Sequence, residues 1–333
     1  MTSSTSPSNV CGLPPGESEP SPRQALDWSL ATVAAFALLA VLFAWLRTDP
    51  QFAAAPSWYW RMKLAWKPEA DLVCAGDSTV YRSLDPTAFE EAGAATHALN
   101  YGFSSAALSR DYLLDAASKF KKDATDKRLV VGVTHWALTP EARKVNGFAD
   151  ARLAEAQSRV PLIWEIALSS MLERMKPLQI DLLGSPSAAS FARAKESEYI
   201  QRYHMNGWVE SDYVYSDPAR GLTTRREDFK DGNRVQAALI DEARDTLQMI
   251  QDRNGVQVIL VPMRSHPEVD ALSERLGGME LTTLANALRP THGVVFEFCP
   301  SVADSYDGVH LNRGAAGGVS RSLADFVKQH RPR

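Results

Sequence analysis

The stretch Leu72-Val73-Cys74-Ala75-Gly76-Asp77-Ser78 decides the fold class. Four consecutive apolar residues ended by a glycine read as a strand buried on both faces, and such strands belong to parallel sheets covered by helices. The same pattern recurs outward along the chain. Thr96 to Leu99, Arg128 to Val133, Val256 to Val261 and Val294 to Phe298 are further apolar runs of strand length. Helical patterns lie between them: Pro86 to Ala92 behind the N-cap Asp85, Ala106 to Phe120, Val235 to Arg253 stopped by Asn254-Gly255, and Ala315 to Gln329. This alternation predicts an α/β domain, a three-layer α/β/α arrangement around a mostly parallel five-stranded sheet. Sites in such sheets lie at the C-terminal strand ends, in the loops that follow.

Flanking segments define the rest of the organisation. Residues 1–27 are rich in Ser, Pro, Gly and Glu and read as a disordered tail. Residues 28–46, WSLATVAAFALLAVLFAWL, carry no charge and have Trp28 and Trp45 near their ends, which predicts a single transmembrane helix. Residues 47–68, with three prolines and Trp58-Tyr59-Trp60, read as a linker near the membrane surface. Residues 69–333 form the domain. Within it, about 140–230 breaks the alternation, holds one helical pattern from Pro161 to Met175, and reads as an insertion over the site.

Composition excludes several functions. The net charge is −4 and no Lys/Arg-rich block occurs, so no nucleic-acid partner is expected. Cys11, Cys74 and Cys299 share no metal-ligand spacing, so no metal is expected; a Cys74–Cys299 disulfide is left open. Arg23 precedes the apolar segment, whereas Arg47, Arg61, Lys63 and Lys67 follow it. Taken literally, that bias places the domain in the cytoplasm.

The chemistry centres on Ser78. A serine just after a strand and a glycine stands above the sheet beside backbone N–H groups, although Asp77-Ser78-Thr79 also suits a helix N-cap. Asp307-Gly308-Val309-His310, between the last strand and the last helix, supplies a carboxylate and an imidazole three residues apart. Serine needs a base to become a nucleophile, and a histidine oriented by a carboxylate provides one. An Asx-type turn at Asp307 is the plainer alternative.

Together, Gly76-Asp77-Ser78 and Asp307-Gly308-Val309-His310 resemble the SGNH/GDSL hydrolase superfamily over roughly residues 69 to 330, less the insertion. The resemblance implies a flavodoxin-like sheet, no cofactor, and Ser78, Asp307 and His310 as the catalytic triad. It also implies an oxyanion hole built from the N–H of Ser78 and from Gly102 or Ser105. The asparagine that the family has after the third strand is replaced by Thr134, followed by His135 and Trp136; the Thr134 hydroxyl or His135 is a possible replacement donor. With the apolar helix, Gly207-Trp208 and His310-Leu311-Asn312, the chain is similar to the membrane-anchored branch that includes the D-alanine-transfer protein and exopolysaccharide acetyl-transfer proteins. That branch implies acyl transfer, with acetyl as the acyl group, to a polysaccharide acceptor on the external side of the membrane. It further implies work beside a multispanning membrane-bound O-acyltransferase. Hydrolysis as a carbohydrate or lipase-like esterase is the alternative, and a catalytically silent scaffold in a polysaccharide assembly is the alternative of another class. External placement conflicts with the flanking charges. His135, Trp136, Arg264 and His266 are the substrate-binding candidates, and His204 with Trp208 could stack on a sugar ring.

Overall fold

The computed structural model describes residues 22–45, 51–52, 57–169, 201–211, 218–301 and 304–330. Two compact units result, residues 1–48 and 49–333. The first contains helix α1 (Pro22–Trp45), whose Trp28, Leu30, Val33 and Phe36 are exposed. Among the described residues no helix is long and apolar enough to cross a membrane. The expected span 28–46 falls partly outside that set, because the side chains of 41–45 and all of Leu46 lie outside the described residues. So do the tail to residue 21, with Cys11, and residues 170–200 of the insertion, with the end of the Pro161 to Met175 pattern.

The second unit is built on a five-stranded sheet: β2 (Leu72–Ala75), β3 (Ala98–Asn100), β4 (Lys127–Val133), β7 (Val256–Pro262) and β8 (Val294–Val295). Every pairing is parallel and the spatial order is β3-β2-β4-β7-β8. Counted within this sheet the order is 2-1-3-4-5, so the winding direction reverses between β2 and β4. A crevice opens outside the C-terminal strand ends at such a reversal. Helices cover both faces. Val73, Ala75, Leu129 and Val131 point to one face, against helices α5 (Arg110–Ala117), Ala237–Asn254 and Leu281–Leu288. Leu72, Cys74, Val130 and Ile259 point to the other, against α3 (Ser78–Ser83), α4 (Pro86–Glu91) and Arg313–Gln329. Alternate side chains leave a strand on opposite faces, which is why both faces are apolar here. Cys74 and Cys299 are both free thiols, the first buried and the second exposed.

A smaller antiparallel sheet joins β1 (Gln51–Phe52), β5 (Gln201–Tyr203) and β6 (Val209–Ser211). Beside it, the segment expected as linker contains helix α2 (Ser57–Ala65). Its Trp58, Tyr59 and Met62 are buried in a cluster with Tyr81 and Val209, so this part of the chain belongs to the domain. Lys63 is also fully buried. Its ammonium donates to the Gly102 carbonyl at 2.6 Å and lies 4.9 to 5.6 Å from the ring centres of Tyr59, Trp60, Tyr81 and Phe103. An aromatic cage offers a cation the quadrupole attraction that water would otherwise supply, while burial lowers the amine's pKa well below its ordinary value.

Candidate active site

Register sets the site. Ala75 pairs with Val131, so Ser78 and Thr134, each three residues further on, lie abreast across the reversal point. The turn after β2 is tight: a side chain at Gly76 would overlap Val80 and press on the Gly132 carbonyl. The Gly76 N–H donates to the Tyr112 hydroxyl at 2.7 Å. Asp77 then caps α3, accepting from the Thr79 N–H at 2.9 Å and the Thr79 hydroxyl at 2.6 Å. Its second oxygen accepts from the Thr134 hydroxyl at 2.5 Å. The cap and the nucleophile readings of this segment are therefore compatible: Asp77 caps, and Ser78 follows at the first helical position.

On the far side, the chain between β8 and the last helix closes into a turn, with Ser305 bridging Leu311 and the Asn312 N–H donating to Asp304. The Asp307 Oδ1 accepts from the backbone N–H groups of Val309 at 3.0 Å and His310 at 2.8 Å. Its Oδ2 meets His310 Nδ1 at 2.7 Å, and His310 Nε2 meets Ser78 Oγ at 2.9 Å. Nδ1 is the donor to the carboxylate, which leaves Nε2 as acceptor for the serine hydroxyl. Burial is the largest influence on Asp307 and by itself raises the pKa. The charge and hydrogen bonds of His310, with the two backbone donors, outweigh it and hold the carboxyl well below the usual range. For His310, burial leads and Arg82 adds to it, so the net direction is downward despite Asp307. The pair at neutral pH is thus a carboxylate and a neutral imidazole, the states a base needs.

The triad borders a cavity of about 480 Å³. Trp60, Tyr81, Trp136 and Tyr203 contribute aromatic walls. Ser105 lines it too, in a left-handed conformation with φ 50° that is uncommon for a residue with a side chain. Among the described hydrogen bonds, the N–H groups of Ser78 and Ser105 have no acceptor. Both residues line the cavity, which makes these two N–H groups candidate donors to an oxyanion. Gly102 is not one: its N–H donates to Asn100 Oδ1 at 3.0 Å. Nor is the Thr134 hydroxyl, which Asp77 takes.

Of the four substrate-binding candidates, only Trp136 reaches the cavity. His135 is buried, its Nε2 bonded to the Met279 carbonyl at 2.7 Å and its ring lying against Gly277. Arg264 turns outward to Thr282 at 2.9 Å and Glu274 at 3.7 Å. His266 caps helix Pro267–Gly277 through Nδ1, and its own N–H donates to the Gly308 carbonyl, which pins the Asp307–His310 turn. His204 and Trp208 stack on each other, 4.8 Å between ring centres, while His204 Nε2 meets Glu210 at 2.8 Å.

Two contributors carry no sequence signal. Arg82 lies in the wall beside the triad, bonded to the Tyr306 hydroxyl and stacked 5.4 Å from Tyr81. Helix Ala219–Asp228, from the insertion, presents Arg220, Thr224, Arg225 and Asp228 to the cavity. Those positions share one helical face. The helix seats on the Asp307–His310 turn at Gly221, where a Cβ would stand 3.0 Å from the Asp307 carbonyl. A polar helix with no apolar stripe gives periodicity nothing to detect. No family model, no curated protein and no solved structure matches this chain.

Proposed function

We propose that this protein is a serine-dependent acyltransferase or acyl esterase of SGNH type, with Ser78 as nucleophile. The observation that carries the reading is the continuous relay Ser78 Oγ to His310 Nε2 (2.9 Å) to Asp307 (2.7 Å) at the C-terminal edge of a parallel sheet. Ser78 attacks the acyl carbonyl as its proton passes to His310 Nε2. The N–H groups of Ser78 and Ser105 receive the oxyanion. His310 returns the proton to the leaving group, and a sugar hydroxyl or water then takes the acyl group by the same base.

The aromatic and polar walls around Ser78 suit a sugar acceptor, which supports O-acylation, with acetyl as the acyl group, of a cell-surface polysaccharide. The apolar segment 28–46 supports a single membrane anchor, and the proposed polysaccharide acceptor is what puts the domain on the external side. A multispanning membrane-bound O-acyltransferase is the partner that this arrangement calls for, delivering the acyl group across the bilayer. Arg61 and Lys63 weigh less against external placement than their sequence positions suggest, because both have structural work inside the domain.

The test uses the full chain in detergent with a chromogenic acetyl ester, with and without an oligosaccharide acceptor, and Ser78→Ala as control. Wild type should turn over the ester and take a fluorophosphonate label at Ser78, and the variant should do neither. Equal rates for both proteins together with no label at Ser78 would sink the enzyme reading and leave the scaffold. Acyl-oligosaccharide formed at the expense of free acid would identify a transferase.

A further inference from the structure

The helical segment 162–169 is inverted relative to an ordinary surface helix. Such helices turn charged residues to water and apolar ones to the core. Here Leu162 and Ile166 pack inward on the cluster of Trp58, Tyr59, Met62 and Val209. Glu165, the only charged side chain in the segment, also turns inward, to Arg61 and Ser57. The outward face is Ile163 (68% exposed), Trp164 (62%), Ala167 and Leu168, continued by Val160 just before it. Leu153, on the neighbouring helix α7 (Gly147–Gln157), is exposed as well. Apolar groups gathered on one exposed face of a folded domain mark a surface that is covered in use.

The chain's own connectivity identifies the cover. β1 and α2 are the first elements of this unit, and both belong to the region that carries the inverted helix. β1 pairs with β5, whose Tyr203 packs on the same cluster as Leu162 and Ile166. Ser57, at the start of α2, bonds Glu165 directly. In the sequence, residues 47–50 alone lie between segment 28–46 and β1. The apolar face therefore lies on the side of this unit where its chain begins.

We propose that the face formed by Val160, Ile163, Trp164 and Leu168 docks on the lipid surface, with Trp164 seated at the headgroup level. An indole suits that depth, apolar on its body and polar at its N–H, and aliphatic neighbours sink just below it. The domain then lies against the bilayer by two contacts, the anchor and this face, rather than swinging on a leash. This proposal takes the membrane location from the function proposed above, while its contact is separate from the anchor.

The experiment is done on the full chain mixed with phosphatidylcholine–phosphatidylglycerol vesicles, some with acyl chains brominated near the headgroup. Trp164 emission is obtained as the difference between wild type and W164F. Docking predicts that this difference falls to about half or less on brominated lipid. An I163D/L168D double variant should keep its unfolding temperature, since both side chains are exposed, and lose the quenching. Quenched Trp164 in a chain that salt or alkali strips from vesicles would uphold docking while sinking the anchor. A chain that stays in the vesicles with Trp164 unquenched would overturn docking alone. A chain that does not co-sediment with vesicles overturns both, whereas a dimer that I163D/L168D converts to monomer while Trp164 stays unquenched overturns docking alone.

Discussion

The loop after β4 and the turn after β8 each bring a histidine to the same edge of the sheet. Both rings are buried deeply enough that desolvation pushes their pKa down. The difference lies in their partners. His135 Nε2 is bonded to a main-chain carbonyl, and its ring is packed under Gly277. His310 has a carboxylate on one nitrogen and a hydroxyl on the other, and its side chain keeps 14% of its surface exposed. Burial and a lowered pKa thus do not make a catalytic base. A proton must have somewhere to come from and somewhere to go, and only the turn after β8 provides both ends.

The strongest way to break that contrast is His310→Asn, expected to lower ester turnover about 10⁴- to 10⁶-fold, as loss of the base does in serine hydrolases. A fall of less than ten-fold, measured with thermal unfolding unchanged, would remove His310 from the chemistry. Thr134→Val sharpens the β4 side. It deletes the hydroxyl bonded to Asp77, a charge-assisted bond of about 1.5–3 kcal/mol, and should cost about ten-fold in turnover through the disordered cap behind Ser78. Retention of full activity would show that Asp77 holds Ser78 without it. His135→Asn should leave turnover within about two-fold and lower stability by about 1–3 kcal/mol in urea, because the Met279 carbonyl loses its donor. Were turnover to collapse instead, the two histidines would not differ as described.

The smallest effect concerns pH. His310 acts as a base only when neutral, and its pKa lies below the ordinary value near 6.5. Turnover should therefore hold at pH 6.5 and fall as pH drops through that lowered value. An acid limb above 6.5 would mean that the Asp307 charge, rather than burial, governs the ring. Stability has its own window. The folded pKa of Asp307 is depressed, so its contribution is complete above the unfolded value near 3.9 and fades as pH falls below it. Urea midpoints at descending pH read this directly, and Asp307→Asn should flatten the decline.

Much of this was legible in the chain because it depends on local pattern. Leu72 to Ala75 reads as a strand, and a strand followed by Gly76-Asp77-Ser78 places a hydroxyl at its end. Asp307 and His310 meet because three residues of turn bring them together. What was not legible depends on distant partners. Trp58-Tyr59-Trp60 looks like membrane-surface chain until Tyr203 and Val209 close over α2. Gly102 and Ser105 are equivalent donors in sequence, and only the side chain of Asn100 decides between them. Arg264 and His266 follow a strand end as the site residues do, but the helices after β7 turn them elsewhere. Strand boundaries moved by one to three residues: β3 runs to Asn100 and β8 stops at Val295, where pairing with Leu260 ends.

Lys63 carries a consequence for chemistry done to the protein rather than by it. An amine with no solvent contact is out of reach of acylating reagents and of trypsin alike. Its modification requires α2 to part from Tyr81 and Phe103, the two cage rings outside that helix, so the rate of labelling at this one lysine counts those departures. Lys63 thus works as a molecular clock for how often the first helix of this unit parts from its own core.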